Sequence, residues 1–161
     1  MSGRWGDSHK DARRKGKYGG AVSGGGGVVF EITSGLVIVA DDQKIPRQSL
    51  QGLLESCVGV TRIECVQDGQ ELVRLALELL PQLVMTDQLM PGMTGLKAIE
   101  LLAPVLLNTR FILISGGDPV GLVELLEDEP YADRVVGISK EIDSRVLVAR
   151  VERIMAREFV V

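Results

Sequence analysis

The chain has 161 residues, 45% of them hydrophobic and 25% charged, which suits one domain of ordinary size plus an appendage. Its net charge of −4 is unevenly spread: residues 1–20 carry six Lys/Arg against two Asp, so the remaining residues carry −8. A body this acidic is a poor binder of duplex nucleic acid, two cysteines are too few for a disulfide framework, and no apolar run approaches the length of a membrane span.

Residues 1–34 read as a basic tail. Gly19, Gly20 and Gly24–Gly27 raise the entropy cost of ordering it, and no apolar face recurs. A phosphate-binding loop would need Gly-Lys-Ser/Thr leading into a helix, whereas Gly27 leads into Val28-Val29-Phe30. The basic start is not followed by a signal-peptide core, and Cys57 and Cys65 suit reduced core thiols, so the expected location is the cytoplasm.

From residue 35 to 161 strand and helix signals alternate. Leu36–Ala40 is a continuous apolar run ending in Asp41-Asp42. Pro46 suits a first helical turn, followed by Leu50, Leu53, Leu54 and Cys57 at helical spacing. Thr61–Val66 alternates as a strand, Asp68-Gly69 is a turn, and Gln70–Leu80 is a helix stopped by Pro81. Leu83–Thr86 is a second apolar run, ending in Asp87, and Gln88–Thr94 is a loop before a helix over Gly95–Ala103. Arg110–Ile114 ends in Ser115-Gly116-Gly117. Asp118 caps a short helix reaching Glu127, with Pro119 at its first position. Arg134–Ser139 ends at Lys140, and a last helix covers Asp143–Glu158.

Five strands and five helices in alternation predict a three-layer αβα sandwich around a doubly wound five-stranded parallel sheet, because continuous apolar runs fit strands covered on both faces. Ligands of such sheets sit beyond the carboxyl ends of the strands. Those ends here carry Asp41, Asp42, Asp87, Ser115 and Lys140.

Three carboxylates on one rim repel, by about 4 kcal/mol per pair at about 4 Å and an effective dielectric near 20. Taken singly, an Asp-Asp after a strand is often a helix cap, and Ser-Gly-Gly is often a turn. Their recurrence on successive strand ends favours a site. Oxygen donors without His or Cys select a hard ion such as Mg²⁺. With Lys140 as a point charge and Ser115 as a hydroxyl donor, the set suits phosphoryl transfer to a carboxylate nucleophile.

Over about residues 36–158 the chain resembles the receiver domain of two-component response regulators. The segment Asp87-Gln88-Leu89-Met90-Pro91-Gly92-Met93-Thr94-Gly95 is similar to that family's D-x-x-M-P-x-M-x-G motif. The resemblance implies the flavodoxin-like strand order 2-1-3-4-5. It also implies that Asp87 accepts a phosphoryl group from a histidine kinase or histidine phosphotransfer protein. Asp42 and Asp87 would bind Mg²⁺ directly, Asp41 largely through water, with the Leu89 backbone carbonyl as a further ligand. Ser115, Lys140 and the Gly116 N–H would hold the phosphoryl oxygens. A homodimer through the fourth helix, fifth strand and fifth helix is a further implication.

The sequence departs from the family in two places. Gly137 stands where an aromatic usually lies three residues before the lysine, and Glu141 stands where proline usually follows it. Only Phe159-Val160-Val161 follow the last helix, so the expected protein is a stand-alone receiver. It would signal by protein–protein contact to an unnamed downstream protein, without direct DNA binding. Its catalysis would be limited to slow self-dephosphorylation. The alternative is a degenerate receiver, an interaction module independent of phosphorylation. A phosphohydrolase with an aspartyl nucleophile would need a second Asp where Leu89 stands.

Overall fold

A computed structural model describes residues 21–24, 27–30 and 32–156. Two short strands, β1 (Ala21–Gly24) and β2 (Gly27–Phe30), pair antiparallel within the segment read as a tail. Residues 1–20 of that segment lie outside the described residues.

Five further strands form one parallel sheet: β3 (Thr33–Ala40), β4 (Arg62–Val66), β5 (Pro81–Asp87), β6 (Arg110–Ser115) and β7 (Val135–Ser139). Their order is β4-β3-β5-β6-β7, which is 2-1-3-4-5 counted within the sheet, as the resemblance implies. The helices between and after them are α1 (Lys44–Glu55), α2 (Gly69–Leu79), α3 (Gly95–Leu102), α4 (Pro119–Glu124) and α5 (Ser144–Met155).

The uninterrupted apolar runs are explained by two dry faces. Val37 and Val39 of β3, Leu83 and Met85 of β5, and Ile112 of β6 face one core with Leu54 of α1 and Leu147 and Val151 of α5. Ile38, Val84, Phe111 and Leu113 face the other with Leu72 and Ala76 of α2 and Ile99 and Leu102 of α3. Each large apolar side chain buried this way contributes roughly 1.5–3 kcal/mol. Strand period 2 therefore persists, but no polar residue marks it.

Helix starts follow local chemistry. Asp68, Thr94, Asp118 and Asp143 each accept a backbone N–H of the first turn, from Glu71, Lys97, Gly121 and Arg145 respectively. The ends differ from expectation in several places, and the last residues of the helix expected over Asp143–Glu158 lie outside the described residues. β3 begins at Thr33 rather than Leu36: the Thr33 N–H and hydroxyl donate to the Leu80 and Leu79 carbonyls, and the ladder is irregular before Val37, where Gly35 takes φ +79°. Pro81 opens β5 besides stopping α2, after Leu80 ends the helix in a left-handed conformation. α4 stops at Glu124, short of Glu127, and tight turns continue from it.

Two polar anchors, buried Gln82 and half-buried Arg134, tie the segments that lead into the strands. Gln82 accepts the Gly35 N–H through Oε1 (2.8 Å) and donates to the Met155 carbonyl (3.1 Å), tying β3 to the end of α5. Arg134, expected in the last strand, lies instead in a single 3₁₀ turn over Ala132–Arg134. Its guanidinium donates to the carbonyls of Ala103, Leu106 and Thr109, closing the chain after α3. Partial burial lowers its pKa below the ordinary arginine value, the neighbouring Asp133 opposes that, and Arg110 adds to it.

Gly95 shows how tightly the rim is built. A Cβ there would overlap the Asp87 carbonyl oxygen and come within 2.9 Å of Leu113 Cδ1. Gly95→Ala is expected to destabilise the fold by about 1–3 kcal/mol, as overpacking does. Urea unfolding of the two proteins measures it, as a lower midpoint at unchanged slope.

Candidate functional site

All five parallel strands end on one edge, and the chemistry-bearing residues stand there. Asp41 and Asp42 follow β3, Asp87 closes β5, Ser115 closes β6, and Lys140 follows β7. One carboxylate oxygen from each of Asp41, Asp42 and Asp87 lies within 4.8 Å of the others. Asp41 and Asp87 are buried, and Asp42 is exposed. At an effective dielectric near 20 each such pair repels by roughly 3 kcal/mol when ionised.

Lys140 supplies the opposing charge. Its Nζ lies 3.1 Å from Asp87 Oδ1, an ion-pair contact whose geometry is not that of a hydrogen bond. Oδ1 is fully buried and has no hydrogen-bond partner among the described residues. A buried carboxylate oxygen left this way is costly unless a cation or donor completes it. Burial raises the Asp41 pKa above the ordinary carboxylate value. The Gln43 N–H at 2.9 Å from Oδ1 opposes the rise, Asp87 adds to it, Lys140 lessens it, and Asp42 adds again.

The donor set contains oxygens alone, and the buried Asp87 carboxylate among them has an oxygen without a hydrogen bond, which fits a hard divalent cation such as Mg²⁺.

The remaining residues singled out in the sequence fall around this cluster. Ser115 is buried. Its hydroxyl accepts the Gly117 N–H at 3.1 Å and its carbonyl accepts the Lys140 N–H at 3.0 Å, so the ends of β6 and β7 are tied together. Gly116 is exposed, and a Cβ there would meet only Lys140 Cδ, at 3.8 Å. Leu89 stands in the loop after β5 with its side chain 74% exposed. The structure therefore brings Asp41, Asp42, Asp87 and Lys140 into one cluster, with Ser115 and Gly116 beside it, while the Leu89 side chain faces solvent.

Two supporting residues went unnoticed in the sequence. Arg47 of α1 donates to the Asp41 carbonyl at 2.8 Å, fixing the helix to the strand end. Gln88 donates its N–H to the Ile114 carbonyl, accepts the Gly95 N–H on its carbonyl, and accepts the Leu96 N–H on Oε1, closing the loop beyond Asp87. Helix registry six residues after Asp41 was the available signal for Arg47. Nothing in the sequence marks Gln88 beyond its place next to Asp87. Within that loop Met90 is buried in the core, and Gly92 takes φ +75°, a conformation that favours glycine.

The family model for the response regulator receiver domain matches residues 37–152. The chain belongs to the response-regulator receiver family. Among curated relatives, this receiver is 33% identical over 80 residues to the transcriptional regulatory protein LiaR of Bacillus subtilis, covering 50% of this chain and 38% of that one. It is 31% identical over 101 residues to the response regulator GacA of Pseudomonas aeruginosa, covering 62% and 42%. A protein-glutamate methylesterase/protein-glutamine glutaminase of Myxococcus xanthus is 30% identical over 80 residues, covering 50% and 23%. The receiver thus spans less than half the length of these relatives. Among solved structures, a LuxR-family DNA-binding response regulator of Staphylococcus aureus aligns with TM-score 0.64 and 25% identity, covering 74% of this chain and 98% of that one. The signal receiver domain of an HD domain-containing protein from Pseudomonas fluorescens aligns with TM-score 0.65 and 19% identity, covering 75% and 94%, a likeness of fold. No helix among the described residues is long and apolar enough to cross a membrane.

The carboxylate repulsion makes a stability prediction. The folded state binds a proton on Asp41 more readily than the unfolded chain does. Ionised Asp41 therefore costs nothing below its unfolded pKa, and the cost grows as pH rises through the raised folded value. In chelator, Asp41→Asn should melt like the wild type in acid and a few degrees higher at neutral pH. Added Mg²⁺ should raise the wild-type melting temperature, with about 2.7 kcal/mol of stabilisation at a hundredfold excess over Kd. Asp42→Asn should lose most of that rise. Thermal melts across pH, with and without Mg²⁺, check all three outcomes.

Proposed function

We propose that this receiver accepts a phosphoryl group on Asp87 from a phosphohistidine donor, a histidine kinase or histidine phosphotransfer protein, and passes the signal by contact with another protein. The observation that carries this reading is the Asp87 carboxylate. It is buried, has an oxygen without a hydrogen bond, and sits 3.1 Å from Lys140 Nζ at the strand edge where such sheets hold ligands.

In the transfer, an Asp87 carboxylate oxygen forms a bond to phosphorus as the bond from phosphorus to the donor's imidazole nitrogen breaks. The imidazole leaves with the electron pair and takes a proton from solvent. Negative charge gathers on the phosphoryl oxygens, and catalysis consists of positioning and charge neutralisation. The Lys140 ammonium would pair with one phosphoryl oxygen, and the Ser115 hydroxyl and Gly116 N–H would donate to the others. Asp41, Asp42, Asp87 and the Leu89 backbone carbonyl would hold Mg²⁺, which supplies further positive charge to the phosphoryl oxygens.

Loss of the phosphoryl group needs an attacking water. Leu89 and Gly117 flank the site in this reading. Neither offers that water a side-chain hydrogen bond, so phospho-Asp87 should persist.

Incubation with acetyl phosphate and Mg²⁺ should add the mass of one phosphoryl group to the wild type and none to Asp87→Asn, read by intact mass. Lys140→Ala should label far more slowly. The phosphorylated form should decay over minutes or longer, and hydrolysis within seconds would contradict the role given to Leu89 and Gly117. Equal labelling of wild type and Asp87→Asn, or labelling of neither, would favour the contrary reading of a receiver that no longer takes phosphate.

A further inference from the structure

Leu89 would offer its main-chain carbonyl to the cation, yet its side chain is 74% exposed and gives that peptide little support. The peptide is held instead by its two neighbours. On one side Met90 is buried in the core, with its sulfur 3.9 Å from the Thr86 hydroxyl. On the other side stands Gln88, half-buried and hydrogen-bonded in three directions.

Those bonds reach two different parts of the fold. The Gln88 N–H donates to the Ile114 carbonyl at 2.9 Å, which carries the pairing of β5 with β6 one residue past Asp87. The Gln88 carbonyl accepts the Gly95 N–H at 3.0 Å, and Oε1 accepts the Leu96 N–H at 2.9 Å. The first N–H groups of a helix have no partners within the helix itself. In α3 the Thr94 hydroxyl serves only the third of them, that of Lys97, at 3.2 Å. Gln88 serves the first two. A helix start ordinarily takes its side-chain acceptor from its own cap residue. Here a second one comes from the residue that follows Asp87.

α3 is a firm support for such a bond. Five of its eight residues are buried: Gly95, Leu96, Ala98, Ile99 and Leu102. Gly95 also stands directly against the Asp87 carbonyl, where a Cβ would not fit. A side-chain hydrogen bond onto this helix therefore fixes the loop at the point where it leaves β5. Without that bond the N–H of buried Leu96 loses its partner, and Gln88 keeps main-chain bonds alone. Mg²⁺ demands near-ideal octahedral geometry, so its affinity is sensitive to small displacements of a ligand oxygen.

We propose that Gln88 is a positioning residue of the cation site. Its side chain, bonded to the start of α3, sets the peptide that carries the Leu89 carbonyl and thereby raises the affinity for Mg²⁺. The role needs no contact between Gln88 and the cation. The proposal rests on the reading of Asp41, Asp42, Asp87 and the Leu89 carbonyl as the Mg²⁺ set. Coupling of this kind is reciprocal: a brace that favours the cation is itself tightened when the cation binds.

The test uses the full chain and Mg²⁺ alone. An amide NMR titration gives Kd, and thermal melts in chelator give stability. Gln88→Leu keeps the bulk and removes the acceptor, and its Kd should rise about fivefold or more, the low end of coupling between sites. Thr94→Val removes the other side-chain cap of α3. It should lower the melting temperature and leave Kd nearly unchanged. Gln88→Glu restores an acceptor oxygen, and its Kd should return toward the wild type at an ionic strength that screens the added charge. A folded Gln88→Leu with the wild-type Kd overturns the proposal. Equal weakening by Thr94→Val overturns it too, because the effect is then one of stability, and so does Gln88→Glu without recovery. If the variants do not fold, hydrogen exchange of the wild type decides. Mg²⁺ should slow exchange of the Leu96 amide more than that of Lys97, and equal slowing overturns the positioning role. A wild type without saturable Mg²⁺ shifts overturns the cation site itself, and the proposal falls with it.

Discussion

The buried Asp87 carboxylate, with Lys140 on one side and two more carboxylates on the other, is the constraint around which the rest of the rim is arranged. Burying a charge is costly, and a single lysine at 3.1 Å outside hydrogen-bond geometry offsets only part of that cost. Asp41 adds repulsion while being buried itself. A rim optimised for stability alone would replace such residues by apolar ones. Their joint presence is the kind of local violation that marks a functional site in an otherwise consistent fold.

The fold holds this cluster together by making its supports rigid. Parallel pairing around the central strands β3, β5 and β6, which are covered on both faces, brings the ends of β3, β5, β6 and β7 to one edge. Arg47 pins α1 to the Asp41 carbonyl, Gln88 closes the loop after Asp87, and Gly95 lets α3 begin against the Asp87 carbonyl. At the opposite edge Gln82 and Arg134 satisfy backbone groups that would otherwise be buried unpaired.

Much of this was legible in the sequence, because the fold's main signals are local. Apolar runs ending in Asp41, Asp87, Ser115 and Lys140 located the strands and the edge they share, and Asp118 and Asp143 marked helix starts. What stayed hidden depends on contacts across the chain. Thr33 joins β3 through carbonyls of α2, so its apolar pattern starts three residues late. Arg134 reads as the start of a strand, yet its guanidinium serves three carbonyls between Ala103 and Thr109. Gly137 reads in the sequence as a missing aromatic. In the structure it is the place where two backbones touch, which no pattern within β7 could reveal.

The central claim is that Asp87, and no other carboxylate of the cluster, becomes an acyl phosphate. Borohydride reduces an acyl phosphate on aspartate to homoserine, which leaves a permanent mark at the modified residue. Peptide mass mapping of the phosphorylated, reduced chain should find homoserine at position 87 alone. Homoserine at Asp41 or Asp42, or at no position, would contradict the account.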